Sequence, residues 1–535
     1  NKREVACPYC KENKSDKAYQ EEILGVLFSL MSRQTLLSIE LRPDTEVETV
    51  AEIARDTKVV LSNIAVSDAL FFKLLSRAAV EVRNKISLVG HDDSLGRCIG
   101  ESDWRTSKRI NIWFDRYSDE EMKQAYENIK KIPKKSVQIV AGEMHAKENG
   151  IYVLLRLLDR ADGYIPDLFL ESSKREFIVE MAETENNSIC IENINRLILT
   201  GYAVGVLPKL RLHEENVLEE LSLDAKYSRE ITEILKMKRN SLWIGRAKKL
   251  VLTGYAVDIL TKLRIPEENV LEELSLNTNG EQKPTEILKE ENNSIWVGKM
   301  RKLELSWYAV GILPKLKIHE ENEMEELDLR TGFLGQITVK NKSLWVGKVK
   351  VLKLRDTAIK ILPKLGFHKE NQMKVLSLFT DRPIYIVSIP REENKSIWVG
   401  KVEKLELYNQ TVEILPKLRF HGENVMEKLV LSADKPEEIS EILKTKDKSV
   451  WVGKVKVLKL EGYTLGILPK LRFRGENVME KLVLSADKPE EISKILKTKD
   501  KSVWVGKVKK VRLKGLAKKI ENKLDFTLIA PDDQE

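Results

Sequence analysis

Pairs of leucines separated by one residue recur along most of this chain, and polar residues stand between and beside them. Two kinds of pair alternate, such as Leu303 with Leu305 and Leu327 with Leu329. Alternate side chains of a β-strand point to the same face, so each pair predicts a short strand with one apolar and one polar face. One such strand cannot bury its leucines alone. The pattern therefore predicts that many of these strands stack side by side.

The spacing of these strands is nearly constant from residue 188 onwards. A Ser-x-Trp-x-Gly motif, as at residues 294–298, precedes each pair of the first kind and recurs every 53 residues, with one step of 49 between Ser294 and Ser343. A fixed interval of this length is typical of repeat proteins. Each period holds two strand units of about 24 and 29 residues. We predict regular double repeats over residues 188–513.

The remainder of the chain is less regular. Over residues 35–187, apolar pairs such as Val59 with Leu61 recur at intervals of 22 to 31 residues, and residues 118–131 show a helical pattern. We predict diverged units of the same kind there. Residues 1–34 are predicted to form a polar segment and a capping helix, and residues 514–535 a C-terminal cap with an acidic tail.

The sequence Met-x-x-Leu-x-Leu, at residues 300–305 and 324–329, resembles the Leu-x-x-Leu-x-Leu core of leucine-rich repeats. The alternation of two unit types is most similar to the ribonuclease-inhibitor-like class. This resemblance implies an α/β solenoid that is curved, with parallel strands on the concave face and helices outside. One departure concerns the Asn or Cys that follows the second leucine in that family, because Tyr308 and other residues replace it here. We therefore expect no buried asparagine ladder.

Composition and charge leave this picture unchanged. Charged residues make up 33% of the 535 residues, and 91 basic against 83 acidic residues give a net charge of +8, so the surface charge is nearly balanced. No apolar run approaches the length of a membrane span. Four cysteines indicate no disulfide framework and favour a reducing compartment, so we predict a cytoplasmic protein. Because the chain begins at Asn1, a processed N-terminus and secretion are the alternative.

Candidate catalytic chemistry is sparse, and we expect neither enzymatic activity nor a cofactor. Cys7 and Cys10 form a Cys-x-x-Cys pair, which is half of a zinc site. No second pair follows at similar spacing, so they are weak candidates and we predict no metal. A small-molecule ligand is not expected either, because no Gly-rich phosphate loop and no nucleophile with a base appears.

Three other residue types recur at fixed repeat positions. The tryptophans, with Cys190 in the same position, are predicted to fill the core. The histidines share a position with Pro266 and Arg474, which argues against a catalytic or metal role for them. An asparagine nearby, such as Asn322, is predicted to bond its own backbone in a turn.

The strand face, meaning the polar side chains between and beside the leucines, is the surface that the sequence favours for binding. Basic residues such as Lys302 precede strands of the first kind and acidic residues such as Glu326 precede the second, so neighbouring strands are expected to neutralise one another. We predict a non-enzymatic scaffold that binds another macromolecule, above all a protein, through this concave surface. The candidate partner-binding residues are Glu304, Trp307, Asp328, Lys353, Glu406, Tyr408, Lys456, Lys459 and Lys510.

Two alternatives to a cytoplasmic protein-binding scaffold remain open. Lysines and arginines accumulate in the C-terminal third, so RNA or a ribonucleoprotein such as the ribosome could bind there through Lys456, Lys459 and Lys510. The other alternative is an interaction protein that is secreted or exposed at a cell surface.

Overall fold

The computed structural model describes residues 33–45, 50–91, 98–104, 108–114, 117–162, 166–191, 194–280, 282–332, 339–385, 389, 392–475 and 477–529. The predicted capping helix, Cys7, Cys10 and the acidic tail lie outside these residues. The structure is α/β, with long parallel sheets of a solenoid-like repeat fold. The chain forms two compact units, Asn1–Pro266 and Glu267–Glu535.

The first unit contains strands and helices of very different lengths. Its strands are β1 (Arg33–Thr35), β2 (Ser38–Leu41), β3 (Val50–Glu52), β4 (Lys58–Ser67), β5 (Ala79–Val89), β6 (Ile99–Glu101), β7 (Ile110–Ile112), β8 (Val137–Val140), β9 (Glu143–Lys147), β10 (Asp167–Ser172), β11 (Ile189–Ile191), β12 (Arg196–Gly201), β13 (Leu210–Leu212), β14 (Val217–Ala225), β15 (Leu242–Trp243), β16 (Arg246–Gly254) and β17 (Leu263–Arg264). Its α-helices are α1 (Asp68–Arg77), α2 (Asp119–Lys131), α3 (Gly150–Leu158), α4 (Val179–Ala182) and α5 (Thr232–Leu235), and its 3-10 helices are Arg175–Ile178, Tyr202–Lys209, Ser228–Glu230 and Tyr255–Thr261.

Two parallel sheets form the core of the first unit. Strands β2, β4, β5 and β8 make one sheet, to which β6 adds an antiparallel edge on β4. Strands β7, β9, β10, β12, β14 and β16 make the other. The strand predicted at Val59 and Leu61 is confirmed as part of β4, and the helical pattern over residues 118–131 is confirmed as α2. That helix begins at a capping box in which Ser118 and Glu121 bond each other's backbone N–H groups.

The second unit repeats one plan. Its strands are β18 (Val270–Asn277), β19 (Ile295–Ser306), β20 (Leu316–Ile318), β21 (Glu323–Thr331), β22 (Leu344–Asp356), β23 (Leu365–Phe367), β24 (Gln372–Thr380), β25 (Ile397–Asn409), β26 (Leu418–Phe420), β27 (Val425–Ala433), β28 (Val450–Gly462), β29 (Leu471–Phe473), β30 (Val478–Ala486), β31 (Val503–Gly515) and β32 (Leu524–Leu528). Its α-helices are α6 (Glu286–Lys289), α7 (Ser440–Leu443) and α8 (Pro489–Leu496), and its 3-10 helices are Trp307–Lys315, Thr357–Lys364, Pro383–Tyr385, Gln410–Lys417, Pro436–Ile439, Tyr463–Lys470 and Leu516–Lys523.

The leucine pairs form a continuous buried spine in the second unit. Leu303 and Leu305 of β19 stand in register with Leu327 and Leu329 of β21, and all four side chains have no solvent exposure. The same register continues through β22, β24, β25, β27, β28 and β30. The predicted stacking of parallel strands is therefore confirmed.

Each strand of the first kind is longer than its leucine pair indicates. The N-terminal part of β19 pairs with the short strand β20, while its C-terminal part pairs with β21. The register shifts at Gly298, where φ is +71°. The equivalent Gly347 has φ +74°, and a Cβ there would lie 2.2 Å from the carbonyl oxygen of Asn322. Both the backbone angle and the close approach require glycine at this bulge.

The tryptophans of the repeated motif do not fill the core. In β19 the side chains of Ile295 and Val297 are buried, and Trp296 between them points outwards and is half-buried. Its ring lies edge-on to His319, with ring centroids 6.1 Å apart, and the Lys317 Nζ lies 5.8 Å from its centroid. Cys190 occupies the same outward position and is partly exposed. The core-filling prediction was wrong because strand alternation places this position opposite to its apolar neighbours.

The recurrent histidines support the turn that follows them. The Nδ1 atom of His319 accepts a hydrogen bond from the backbone N–H of Glu321 at 3.1 Å, and the Nδ1 atom of His368 accepts one from Glu370 at 3.2 Å. These contacts are local, and the described residues contain no group of three His, Cys, Asp or Glu side chains that could hold a metal ion.

Helices after the strands are shorter than the resemblance implies. In the second unit each strand of the first kind is followed by a 3-10 helix, such as Trp307–Lys315, and not by an α-helix. Pro314 stands near the end of that segment. Proline cannot donate a backbone hydrogen bond and restricts the residue before it, so an α-helix cannot extend through this position.

A buried asparagine ladder is present, contrary to the prediction. Its described members are buried and each Oδ1 atom accepts the backbone N–H of a residue 22 positions earlier in the same unit, at distances of 2.7 to 3.0 Å. They are Asn216, Asn322, Asn371, Asn424 and Asn477. The ladder stands before the strands of the second kind, whereas the family places its asparagine after the leucines. The prediction that these side chains bond their own backbone was therefore also wrong.

One buried carboxylate gives the second unit a predicted pH dependence. Glu413, 3% exposed, accepts hydrogen bonds from the N–H groups of Glu441 and Ile442 at the start of α7, at 2.8 and 2.9 Å. Burial raises its pKa from the ordinary 4.5 to about 7, although these two hydrogen bonds oppose the rise. The folded chain thus binds more protons than the unfolded chain between pH 4.5 and 7, and its stability falls as the pH rises through that window.

Replacing Glu413 with glutamine is expected to flatten this dependence. The loss of unfolding free energy between about pH 4.5 and about pH 7.5 should shrink by about 3 kcal/mol, because the titrating group is gone. Urea unfolding followed by circular dichroism at both pH values measures it. Glu437→Gln, an exposed carboxylate on the adjoining turn, is the control. If the unfolding free energy depended on pH equally in the native chain and in Glu413→Gln, the assignment of this titration to Glu413 would be contradicted.

Candidate functional site

One repeat position in the turn that ends each strand of the first kind has a positive backbone φ angle. Its seven occupants have φ between +55° and +67°. They are Gly201, Gly254, Trp307, Asp356, Asn409, Gly462 and Gly515. In six of the seven copies ψ lies between −129° and −136°, outside the left-handed α-helical region, and a residue with a Cβ atom is strained there by about 1–3 kcal/mol. A tryptophan here is an outlier, and strain of this kind is commonly retained at functional sites.

The residue at the end of the neighbouring strand of the second kind differs between the copies that have glycine at this turn position and those that do not. At Gly462 an added Cβ would lie 2.3 Å from the carbonyl oxygen of Ala433. The equivalent of Ala433 before Trp307 is Thr278, whose Oγ1 accepts the backbone N–H of Tyr308 at 3.0 Å. Threonine also stands at this position before the other two non-glycine residues, as Thr331 and Thr380. Three successive periods of the second unit therefore share a variant turn.

A pocket of about 420 Å³ lies beside this variant turn, at the carboxyl ends of β19, β21, β22 and β24. We call it the strand-end pocket. Its lining residues are Trp307, Arg330, Thr331, Gly332, Asp356, Phe379, Asp381, Arg382 and Tyr385. The Trp307 ring lies against two glycines, since a Cβ on Gly280 would be 3.2 Å from it and one on Gly332 3.9 Å.

Aromatic rings form much of the pocket wall. Trp307 and Tyr385 are half-buried, and Phe379 is 42% exposed. Arg382 is held against Tyr385, because its Nη1 donates to the Tyr385 Oη at 3.1 Å and its guanidinium lies 5.6 Å from the ring centroid. The ring of Phe379 lies beside Tyr408, with centroids 6.5 Å apart. The pocket thus offers flat apolar surfaces that solvent can reach.

Several charges on the strand face outside the pocket are paired. The Lys302 Nζ lies 3.1 Å from carboxylate oxygens of both Glu273 and Glu304. Further pairs join Lys353 to Glu326 at 2.9 Å, Lys404 to Glu406 at 2.6 Å and Lys459 to Glu461 at 2.7 Å. The pairs of Lys302 with Glu273 and of Lys353 with Glu326 join neighbouring strands, as the sequence predicts, whereas the pairs of Lys404 with Glu406 and of Lys459 with Glu461 each lie within one strand.

Charges at the pocket are not paired in this way. Within the described part of the chain, Arg330, Asp356 and Asp381 make no hydrogen bond through their side chains and no ion pair within 4.0 Å. Asp356 is half-buried, and burial raises its pKa above the ordinary value. The negative charge of Asp381 adds to the rise, while Arg330 and Arg382 oppose it. A partly desolvated carboxylate without a donor is a place where a ligand can gain binding energy.

The structure distributes the predicted partner-binding residues over several places. Trp307 lies in the pocket, and Tyr408 lies beside it next to Phe379. Four others lie in the central row of the strand face, between the leucines, and three of these are consecutive in register. They are Glu304, Asp328, Lys353 and Glu406.

The basic candidates lie further along the sheet. Lys456 bonds Glu427 at 2.9 Å, Lys459 bonds Glu461, and Lys510 is exposed beside Lys481. They therefore do not form one site with Trp307.

Sequence analysis missed most of the pocket. Asp356, Phe379, Arg382 and Tyr385 are absent from the predicted residues. Two signals were present, namely the single 49-residue step at residues 294–343 and the aspartate that replaces glycine in the turn position. Asp381, Arg382 and Tyr385 belong to the loop after β24, and no local sequence feature indicates that this loop lies beside Trp307.

Comparison with known protein families, with curated proteins and with solved structures finds no match for this chain. Among the residues that the structure describes, no helix is both long enough and apolar enough to cross a membrane.

Proposed function

We propose that this protein is a non-enzymatic scaffold of leucine-rich-repeat type that binds another protein through its strand face, anchored at the strand-end pocket. The observation that supports it is Trp307. A bulky aromatic residue occupies a strained position where four other copies have glycine, and it forms the wall of a pocket. Backbone strain that is retained at one residue is commonly associated with function, and binding of a partner by Trp307 would be such a function.

The chemistry of the pocket favours a protein partner. Tryptophan, tyrosine and arginine are the residues that dominate binding energy in protein interfaces, and all three types line this pocket. The paired charges of the strand face outside the pocket add little net attraction of their own. A partner would therefore gain most of its affinity at the pocket and its orientation from the flanking rows.

Affinity capture of the tagged full chain tests this function. Lysate would be applied at low and at high salt, and bound proteins identified by mass spectrometry. We expect a defined protein that stays bound at high salt and is lost with Trp307→Ala. Binding that Trp307→Ala leaves intact would place the interface elsewhere, and no retained protein at either salt concentration would contradict the proposal.

Binding of RNA or a ribonucleoprotein is the second candidate, and one feature favours it. In β30 and β31, Lys481 and Lys510 stand side by side, and Arg512 and Lys514 continue the exposed basic row. Repulsion between neighbouring lysines is relieved by an anionic ligand. This function predicts RNA captured only at low salt and lost with Lys510→Glu, while Trp307→Ala has no effect.

A further inference from the structure

We infer that the strand-end pocket receives a cationic side chain of the partner, an arginine or a lysine, with Asp356 at its floor and the ring of Trp307 as one wall. This inference rests on the proposed function and names the chemistry of the group that is bound. It follows from which groups are buried, which are already paired, and which are not.

The floor and the rim of the pocket differ in exposure. Trp307, Asp356 and Tyr385 are half-buried, whereas Arg330, Asp381 and Arg382 are exposed. The deepest charged group is therefore a carboxylate. A carboxylate that has lost part of its hydration and has no donor gains more from a cation than an exposed arginine gains from an anion.

The arginines of the pocket do not supply that cation. Arg382 is held over Tyr385 by a hydrogen bond and by its stacking on the ring. Arg330 lies at the rim, and within the ranges that the structure describes neither guanidinium comes within 4.0 Å of the Asp356 carboxylate. As far as the described residues are concerned, neither arginine occupies the position over the floor.

Aromatic walls suit a cationic group as well as an apolar one. The face of a tryptophan or tyrosine ring attracts an ammonium or guanidinium ion within about 6 Å of its centroid. The chain uses the same contact on its outer side, where Arg419 lies 5.1 Å from the ring centroid of Trp398. At the pocket the Asp356 carboxylate and the Trp307 ring would act on one cation together, and a planar guanidinium could also bond the carboxylate in bidentate fashion.

The probe for this inference is Nα-acetyl-arginine amide, and the reporter is fluorotryptophan NMR on the full chain. The chain has nine tryptophans, and the Trp307 resonance is identified by its absence in Trp307→Phe. We expect the arginine probe to shift that resonance with a dissociation constant in the millimolar range. Nα-acetyl-norleucine amide, which is apolar, and Nα-acetyl-glutamate amide, which is anionic, should leave it in place.

Two variants test the role of the floor carboxylate. Asp356→Asn should weaken arginine binding at least about tenfold, and the fold tolerates it because Asn409 already occupies the same turn position with φ +55°. Arg330→Ala should strengthen binding, because a positive charge leaves the rim. Asn409→Asp lies outside the pocket lining and is the control that should change nothing.

Specific outcomes would overturn the inference. Equal shifts with the norleucine or the glutamate probe, no shift with arginine, or an Asp356→Asn variant that binds arginine normally would each do so. Failure here is separable from failure of the proposed function. If a protein is captured and lost with Trp307→Ala but the arginine probe causes no shift, the proposed function is supported and the cation inference is not. If the arginine probe shifts the resonance but no protein is captured, the cation inference is supported and the proposed function is not.

Discussion

Replacing Asn424 with alanine is expected to destabilise the second unit by about 3 kcal/mol or more. The Oδ1 atom of Asn424 accepts the backbone N–H of Val402 at 2.7 Å, and its Nδ2 donates to the carbonyl oxygen of Val402 at 3.3 Å. The asparagine is 1% exposed. Alanine would leave both backbone groups buried without partners, and each such group costs about 1–3 kcal/mol.

Urea unfolding at constant pH measures this effect, and hydrogen exchange of the Val402 amide localises it. The control is Glu423→Ala, which alters the exposed neighbour in the same turn and should change stability by less than about 0.5 kcal/mol. If both variants were equally stable, the asparagine ladder would not contribute to the stability of the second unit. A cost for Asn424→Ala without faster exchange at Val402 would place its origin elsewhere.

The stacked strands could be predicted from sequence because their signal is local. Leu303 and Leu305 stand two residues apart, and that spacing alone assigns both side chains to one face of a strand. The outward direction of Trp296 was predictable by the same rule, since Ile295 and Val297 on either side of it are the inward pair. The presence of Cys190 at the equivalent position suggested burial, but strand alternation places this position on the outer side.

Interactions that join distant residues could not be predicted in this way. The asparagine ladder links atoms 22 residues apart, and only the backbone path of the loop brings them within hydrogen-bond distance. The strand-end pocket has the same origin. Trp307 was singled out as a residue of the strand face, but Arg382 and Tyr385 belong to the loop after β24, and no local sequence feature indicates that this loop lies beside Trp307. Comparison of the seven copies at one turn position would have found Asp356.

Replacing Trp307 with glycine is expected to separate binding from stability. Affinity for the captured protein should fall at least about thirtyfold, which corresponds to about 2 kcal/mol and is typical of a central interface tryptophan. The unfolding free energy should change by less than about 1 kcal/mol. Glycine relieves a backbone strain of about 1–3 kcal/mol, and this gain offsets the packing of the ring on Gly280 and Gly332 that is lost.

Two matched variants decide whether the pocket or the backbone accounts for such a result. Asn409→Gly makes the same change at the same turn position outside the pocket and should leave the affinity unchanged. Trp345→Ala removes another solvent-reachable tryptophan, 42% exposed on the outer side, and should do the same. If either variant weakened binding as much as Trp307→Gly, turn flexibility or a second surface would explain the effect. Loss confined to Trp307→Gly would mean that the strained tryptophan is kept for recognition.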